Sequence, residues 1–208
     1  MKLELQSLDI IINIIEKDDT IMPVLETVKQ FEEKYRVYFS EQQAKLDEFI
    51  RNKQNIDKEE WQEDIKYQWM HDLALKNEVA EFINECRDIW KYWKQKPVDK
   101  ETLLDEFVDI VHFTFLIRNK YVSDYDTPMH ELLNVVSSLD EEKEDRQEPN
   151  DVLHLRVLSY LDLSQDYEHI LGHALYILFD RYFITIDEIK EAYDKKNKEN
   201  HERQKNNY

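Results

Sequence analysis

Glycine is almost missing from this chain: Gly172 is the one glycine in 208 residues, and only four prolines accompany it. Hairpin turns and the phosphate-cradling loops of P-loop and Rossmann proteins need glycines at fixed positions, because other residues rarely adopt the required backbone conformations. Stretches of alternating polar and apolar residues, which are typical of half-buried strands, are also missing. The sequence therefore predicts an all-α protein, a multi-helix bundle joined by short polar links.

The composition indicates a folded chain despite its polarity. Hydrophobic residues make up 41% of the sequence and charged residues 36%, a balance that approaches that of disordered proteins. The chain nevertheless contains 4 Trp, 12 Tyr and 9 Phe, and so many aromatic side chains indicate a buried core. A length of 208 residues is within the range of one domain.

Cysteine content, hydropathy and charge indicate the cellular compartment of the protein and the classes of partner that it can bind. Cys86 is the one cysteine, so the chain can form neither an intrachain disulfide nor a thiolate metal site. No apolar run approaches the roughly 20 residues that cross a membrane, and no signal peptide is recognised. We therefore expect a cytoplasmic protein that binds no membrane. The net charge of −18 also opposes binding to a nucleic-acid duplex, although residues 195–205 are locally basic.

Apolar periodicity and capping signals predict where the helices lie. The predicted helical segments cover residues 3–16, 21–39, 40–52, 58–94 and 100–121, a helix that begins at the Thr127-Pro128 pair, core segments within 152–183, and a last helix that begins at the capping box of Thr185 and Glu188. Asp99 is expected to cap the helix over residues 100–121. The charged run over residues 140–148 is predicted to be a solvated loop.

Two pairs of acids lie at helical spacing beside apolar residues. Glu78 and Glu81 stand three residues apart, as do Glu106 and Asp109, so each pair presents two carboxylates on one helix face. Residues 103–115 are apolar around most of the helical circumference, which is typical of a buried helix. Ionised carboxylates rarely stay buried unless a cation compensates their charge.

These acids allow two interpretations. Taken alone, Glu106 and Asp109 could equally face solvent or pair with a basic residue of another helix. The repetition of the arrangement by Glu78 and Glu81 favours a shared site, because antiparallel packing of the two helices would bring four carboxylates to one spot. A ligand set made of carboxylates favours a hard, oxygen-seeking cation such as Mg²⁺.

The two acidic pairs also resemble the signature of a known family. Their first acids lie 28 residues apart, and together the pairs resemble the E-x-x-E…E-x-x-D signature that dimeric dUTPases share with MazG-type pyrophosphohydrolases. Trp90 and Trp93 fall in a segment similar to the aromatic segment that follows the first acidic motif in dimeric dUTPases. Gln43 opens a Gln-x-x-Leu-Asp stretch that resembles the uracil-reading helix of that family.

The C-terminus extends the resemblance. Lys196, Asn200, Arg203 and Tyr208 follow the K-x-x-x-N-x-x-R…G-Y ending of dimeric dUTPases, with Asn207 in place of the usual glycine. In that family the lysine and the arginine meet the substrate phosphates, and the asparagine meets the nucleoside.

This resemblance implies a fold and an activity. It covers residues 39–208, which would form a MazG-like core with a four-helix metal-binding centre, and leaves residues 1–38 as a helical extension of the same domain. It implies a homodimeric dUTP diphosphatase that converts dUTP, with dUDP as a further candidate substrate, to dUMP and pyrophosphate. It also implies two or three Mg²⁺ per active site and is compatible with a phage or prophage origin.

The resemblance assigns roles to individual residues. Glu78, Glu81, Glu106 and Asp109 would bind the metal, with Glu78 as the base that activates water. The substrate would be bound by residues that are spread over the chain, namely Gln43, Trp90, Trp93, Phe113, Lys196, Asn200, Arg203 and Tyr208. For the aromatic residues, a place in the core is the alternative.

Other functions are compatible with the same residues. A MazG-type enzyme that acts on another nucleoside triphosphate would use the same acids. A helical regulatory protein could expose them to solvent and bind a repressor, a role that some phage dUTPases combine with hydrolysis. Asp109 and His112 fit half of a di-iron carboxylate site, but Asn84 stands where the second histidine is required.

Overall fold

The computed structural model describes residues 23–94, 96–146, 149–164 and 166–206, and within them it contains helices and no strands. The helices are α1 (Val24–Gln54), α2 (Lys58–Glu63), α3 (Ile65–Glu85), α4 (Arg87–Trp90), α5 (Lys100–Tyr121), α6 (His130–Arg146), α7 (Asn150–Leu163), α8 (Tyr167–Asp180) and α9 (Ile186–Lys205). The predicted all-α class is confirmed. None of these helices has both the length and the apolar character of a membrane span, and the predicted helix over residues 3–16 lies outside the described residues.

The first described helix, α1, is continuous over 31 residues, so the predicted division between residues 39 and 40 is wrong. Ser40 lies fully buried inside it. Its hydroxyl accepts a hydrogen bond from Arg118 Nη1 (3.1 Å), and its carbonyl oxygen accepts one from Asn119 Nδ2 (2.9 Å). Ser40 therefore connects α1 to α5 and does not cap a new helix.

The predicted helix over residues 58–94 is broken twice. Asp64 leaves helical geometry and caps α3, because its side chain accepts a hydrogen bond from the backbone N–H of Lys66 (2.8 Å). Buried Cys86 separates α3 from the single turn α4. The second break lets the indole N–H of Trp90 donate to the carbonyl oxygen of Ile83 at 2.9 Å.

The described part of the charged run, residues 140–146, is not the predicted loop, because it belongs to α6. Asp140 Oδ2 accepts a hydrogen bond from the backbone N–H of Leu25 at the start of α1 (2.9 Å). Lys143 Nζ lies 2.7 Å from Asp180 Oδ1 of α8. Asp140 and Lys143 thus have partners on α1 and α8, so this polar segment can remain helical.

The start of α6 also differs from the prediction. This helix begins at His130 rather than at the Thr127-Pro128 pair. The carbonyl oxygen of Thr127 accepts a hydrogen bond from Arg118 Nη2 (2.5 Å), which holds this segment against α5.

Other predicted helix ends are confirmed. Asp99 caps α5 by accepting a hydrogen bond from the backbone N–H of Glu101 (3.0 Å), and α5 ends at Tyr121. Thr185 and Glu188 form the capping box at the start of α9. The predicted core segment also exists, because residues 170–179 of α8 are buried throughout.

Helix α5 contacts α1, α3, α8 and α9. The ring centroid of Phe39 in α1 lies 5.6 Å from that of Phe115 in α5 and 4.4 Å from that of Tyr193 in α9. Phe82 of α3 and Phe107 of α5 pack with centroids 6.1 Å apart. Full burial of each such side chain stabilises the fold by roughly 1.5–3 kcal/mol, and it fixes the helices whose polar residues form the site described below.

Proline at position 41 tests the continuity of α1. Glu41 is exposed in the interior of the helix, so Glu41→Pro removes an internal hydrogen bond and clashes with the preceding turn, which should lower the free energy of unfolding by about 3 kcal/mol. Glu41→Ala should leave it almost unchanged. Urea unfolding followed by circular dichroism measures both variants. If a helix began at Ser40, the proline would stand in its first turn and would be tolerated.

Candidate active site

Three glutamates from two helices meet beside the core. Glu78 and Glu81 lie on α3 and Glu106 lies on α5, and one carboxylate oxygen of each lies within 4.8 Å of the others. Fully buried Phe82 and Phe107 pack between the same two helices. The apolar contact therefore holds three negative charges close together.

Burial and mutual repulsion change the titration of these acids. Burial, followed by the negative charges of Asp109, Glu81 and Glu106, raises the pKa of Glu78 to about 7. The pKa of Glu106 is also raised, by burial first and then by the charge of Glu81. A bound cation would relieve the same repulsion that a proton relieves.

The available ligand atoms fit a hard divalent cation. All three are carboxylate oxygens, and Glu81 is exposed while the other two side chains are half-buried. Asn77 Nδ2 donates a hydrogen bond to Glu81 Oε1 (2.6 Å) and orients this carboxylate. Mg²⁺ prefers such oxygens and leaves coordination positions for water or phosphate oxygens.

Asp109, the fourth predicted ligand, is paired with a lysine of α9. Lys196 Nζ lies 2.6 Å from Asp109 Oδ2 and 2.9 Å from Asp105 Oδ2. Burial lowers the pKa of Lys196, but the hydrogen bonds to Asp109 and Asp105 outweigh burial and raise it above its ordinary value. Lys196 is thus a charged amine beside the acidic cluster. Asp105 was not among the predicted site residues, although its position one helical turn before Asp109 could have identified it.

A cavity of about 220 Å³ opens beside this cluster, between α1, α3, α5 and α9. It is lined by six of the residues that were predicted to form the site, namely Gln43, Glu78, Asp109, Phe113, Asn200 and Arg203. Asn200 lies about one turn after Lys196 and one turn before Arg203, so α9 presents all three side chains toward the same region.

The Gln43 side chain is held by two neighbours at this cavity. Its Nε2 donates to Asp47 Oδ1 (2.6 Å), and its Oε1 lies 2.7 Å from His112 Nδ1. Because Oε1 can only accept, this contact assigns the ring proton to Nδ1. Burial lowers the pKa of His112 to about 3, so the ring is neutral. The Tyr193 ring stacks on it with centroids 4.4 Å apart.

Two buried atoms of this network have no hydrogen-bond partner in the part of the chain that the structure describes. They are His112 Nε2 and Asp47 Oδ2, and both residues line the cavity. Burial raises the pKa of Asp47 to about 7. Unpaired buried polar atoms are costly, so a ligand that pairs with them is favoured. Of Gln43, Asp47 and His112, only Gln43 was predicted to bind substrate. The spacing of Gln43 and Asp47 by one helical turn was the sequence signal that could have identified Asp47.

Two predicted substrate-binding tryptophans are not brought to this cavity. Neither Trp90 nor Trp93 is part of its lining. The helical face that carries Glu78 and Glu81 ends with α3, so the two tryptophans instead contact each other with ring centroids 5.8 Å apart, and Trp93 is 63% exposed. Tyr208 lies outside the described residues. Substrate contacts by these three residues stay predictions.

Comparison with known proteins identifies the family. No curated protein matches the chain. A family model described as dUTPase matches residues 37–208, which include the acidic cluster, Gln43 and all of α9. The chain therefore belongs to the dimeric all-α dUTPase family of nucleoside triphosphate pyrophosphohydrolases.

Proposed function

We propose that the protein is a dUTP diphosphatase that hydrolyses dUTP to dUMP and pyrophosphate. The observation that carries the proposal is the convergence of the carboxylates of α3 and α5 with Asn200 and Arg203 of α9 at one cavity. Carboxylates can hold cations against a triphosphate, and neighbouring basic side chains can neutralise its remaining charge. Family membership supports the same reaction.

Magnesium is the proposed cofactor, with two or three ions per site. Glu78, Glu81, Glu106 and Asp109 would hold them. Bound Mg²⁺ would supply neutralisation of the triphosphate charge and polarisation of the attacking water. The ligand set of carboxylate oxygens and the raised pKa values of Glu78 and Glu106 support this assignment.

Glu78 is the proposed base that accepts a proton from the attacking water. It belongs to both the acidic cluster and the cavity lining, so its carboxylate lies between the proposed cations and the substrate. Lys196 is held by Asp105 and Asp109, so its ammonium group is already positioned to bind a phosphate. Arg203 can bind a second phosphate and offset charge on the departing pyrophosphate.

Uracil is the base for which His112 and Asp47 are best suited, with Gln43 as the residue that positions both. The lone pair of His112 Nε2 can accept the N3–H of uracil, and protonated Asp47 can donate to an adjacent carbonyl group. Cytosine has an acceptor at N3 and an amino group at C4, so the same atoms disfavour it. Phe113 would pack on the base and Asn200 would contact the nucleoside.

Removal of single metal ligands should abolish hydrolysis without unfolding the protein. We expect Glu81→Gln and Asp109→Asn each to lower kcat for dUTP by about 10²-fold or more, because each removes a ligand for a cation that neutralises the triphosphate. Glu101→Gln is the matched control, since Glu101 is an exposed acid paired with Lys195. Pyrophosphate release with Mg²⁺ measures activity, and circular dichroism checks the fold.

Three results of this assay would contradict the proposal. Activity that survives both substitutions would show that these acids do not hold the catalytic cations. A wild-type protein that releases no pyrophosphate from dUTP would favour the helical regulatory protein that binds a partner such as a repressor. The wild-type protein is also assayed with dUDP, dCTP, dTTP and UTP, and comparable turnover of all triphosphates would favour a MazG-type enzyme of broader specificity.

The pH dependence of KM tests the role of Asp47. A group whose pKa is raised to about 7 is protonated below that pH and loses its donor proton above it. The KM for dUTP should therefore rise about tenfold between pH 6 and pH 8 relative to that of Asp47→Asn, whose amide donates at both values. Asp47→Leu should raise KM at every pH. An unchanged KM ratio between wild type and Asp47→Asn across this range would show that Asp47 does not donate to the base.

A homodimer is the proposed functional unit, in agreement with the family. Helix α3 carries an exposed apolar row of Ile65, Trp69 and Leu73, which are 61%, 69% and 71% exposed and lie one turn apart. Apolar rows of this kind on a protein surface mark interaction sites. A second copy of the chain is the proposed occupant, because the family is dimeric.

A charge in this row should weaken the dimer. We expect Trp69→Glu to convert the protein to a monomer at micromolar concentration, because dimerisation would then bury an unpaired carboxylate. Tyr92→Glu places the same charge at another exposed aromatic residue, which is 91% exposed, and should leave the dimer intact. Sedimentation velocity separates the two species. A dimeric Trp69→Glu variant would exclude this face from the interface.

A further inference from the structure

A second and larger cavity, of about 620 Å³, lies next to the proposed nucleotide cavity and shares Asp47 with it, but its other wall residues have no part in the proposed reaction. It lies between the C-terminal half of α1, α2, and the end of α5 with the residues that follow it. Six of its thirteen lining residues are basic or aromatic, namely Arg51, Lys58, Lys120, Trp61, Tyr121 and Tyr125. Its volume is within the range of small-molecule sites.

Two of the basic groups are held against Trp61. The guanidinium carbon of Arg51 lies 5.4 Å from the centroid of the Trp61 ring, and Lys120 Nζ lies 5.0 Å from it. Gln62 Nε2 donates to the carbonyl oxygen of Lys120 (3.1 Å) and fastens α2 to the end of α5. Cation–π contacts position a cation without neutralising it, so both positive charges remain for a ligand.

The charge of Lys120 is weakly compensated. The side chain is 6% exposed, and Nζ lies 3.4 Å from His71 Nδ1. Burial, followed by the charge of Lys120, lowers the pKa of His71 to about 4, so this ring carries no charge. Burial also lowers the pKa of Lys120, against the opposing charges of Asp72 and Asp47. An anion in the cavity would favour the charged amine.

Polar atoms in the cavity wall also lack partners. Arg51 Nε and Asn119 Oδ1 are buried without a hydrogen-bond partner among the described residues. The acids of the wall are Asp47, whose pKa is raised by burial to about 7, and exposed Glu48. Basic groups therefore outnumber ionised acids in this cavity, in a protein whose net charge is −18.

We propose that this cavity binds a small phosphate-bearing anion, contacted by Arg51, Lys58 and Lys120. A phosphate dianion suits the site because its oxygens can accept from the guanidinium group and from two ammonium groups at once. Exposed Tyr121 and half-buried Tyr125 leave room beside the charges for a flat organic substituent. The anion can thus be free phosphate or a phosphate monoester, and the nucleotide cavity stays available to substrate.

Calorimetric titration of the full chain with inorganic phosphate, in buffer without Mg²⁺, tests the proposal. We expect Arg51→Gln/Lys120→Met to weaken phosphate binding at least tenfold. Lys45→Gln/Lys66→Gln removes the same charge from exposed positions outside the cavity and should bind phosphate like the wild type. Lys58→Gln, at an exposed side chain, should weaken binding severalfold and replaces the double variant if circular dichroism shows that the latter is unfolded.

A second variant separates this site from the nucleotide cavity, where phosphate can also meet Lys196. Binding at the new site should survive in Lys196→Met. If phosphate binding is lost in Lys196→Met and kept in Arg51→Gln/Lys120→Met, or if the wild-type protein binds no phosphate at millimolar concentration, the proposal is overturned. Titration with phenyl phosphate distinguishes the two sources: tighter binding than phosphate identifies a monoester, and equal affinity identifies free phosphate.

Discussion

The repulsion among the carboxylates of α3 and α5 is the constraint on which the rest of the site depends. Oxygens of Glu78, Glu81 and Glu106 lie within 4.8 Å of one another, a distance at which two like charges cost from about 1 to about 4 kcal/mol, depending on their exposure to water. Packing of Phe82 on Phe107 holds the two helices together against this cost. Burial and this repulsion raise the pKa of Glu78, and the charge of Lys196 offsets part of the repulsion, which a divalent cation would offset more completely.

Lys196 connects the last helix, α9, to the carboxylates that repel one another. Its ion pairs with Asp105 and Asp109 stabilise α9 against α5, and they also place Asn200 and Arg203 at the edge of the cavity. One interaction thus contributes both to the packing of the bundle and to the positions of the proposed phosphate-binding groups. Asp109 would also hold a cation in the proposed site, and Lys196 would then have more of its charge available to a phosphate, which would link metal binding to substrate binding.

Sequence patterns were sufficient for features that depend on local spacing. The missing glycines predicted an all-helical chain, and the spacing of the four acids and of Lys196, Asn200 and Arg203 selected residues that the fold brings together. Features that depend on contacts between distant residues were not predictable in this way. Ser40 looked like a helix start because its partners, Arg118 and Asn119, lie nearly 80 residues away.

The same reason explains the residues that were missed or misplaced at the site. His112 and Asp47 look like ordinary core and helix residues until Gln43 is seen to bridge them. Trp90 and Trp93 follow the first acidic pair in sequence, but the break at Cys86 ends the helical face that would carry them to the cavity. Residues 140–146 of the charged run continue α6 because Asp140 and Lys143 find partners on other helices.

The central claim is that the carboxylates of α3 and α5 hold the cations that bind the triphosphate. Anomalous diffraction from a crystal grown with Mn²⁺ and a non-hydrolysable α,β-imido analogue of dUTP tests it most directly. We predict manganese peaks coordinated by Glu78, Glu81, Glu106 and Asp109, with the phosphates of the analogue on the same ions and beside Lys196. An analogue bound elsewhere, or manganese absent from these four acids, would contradict the account.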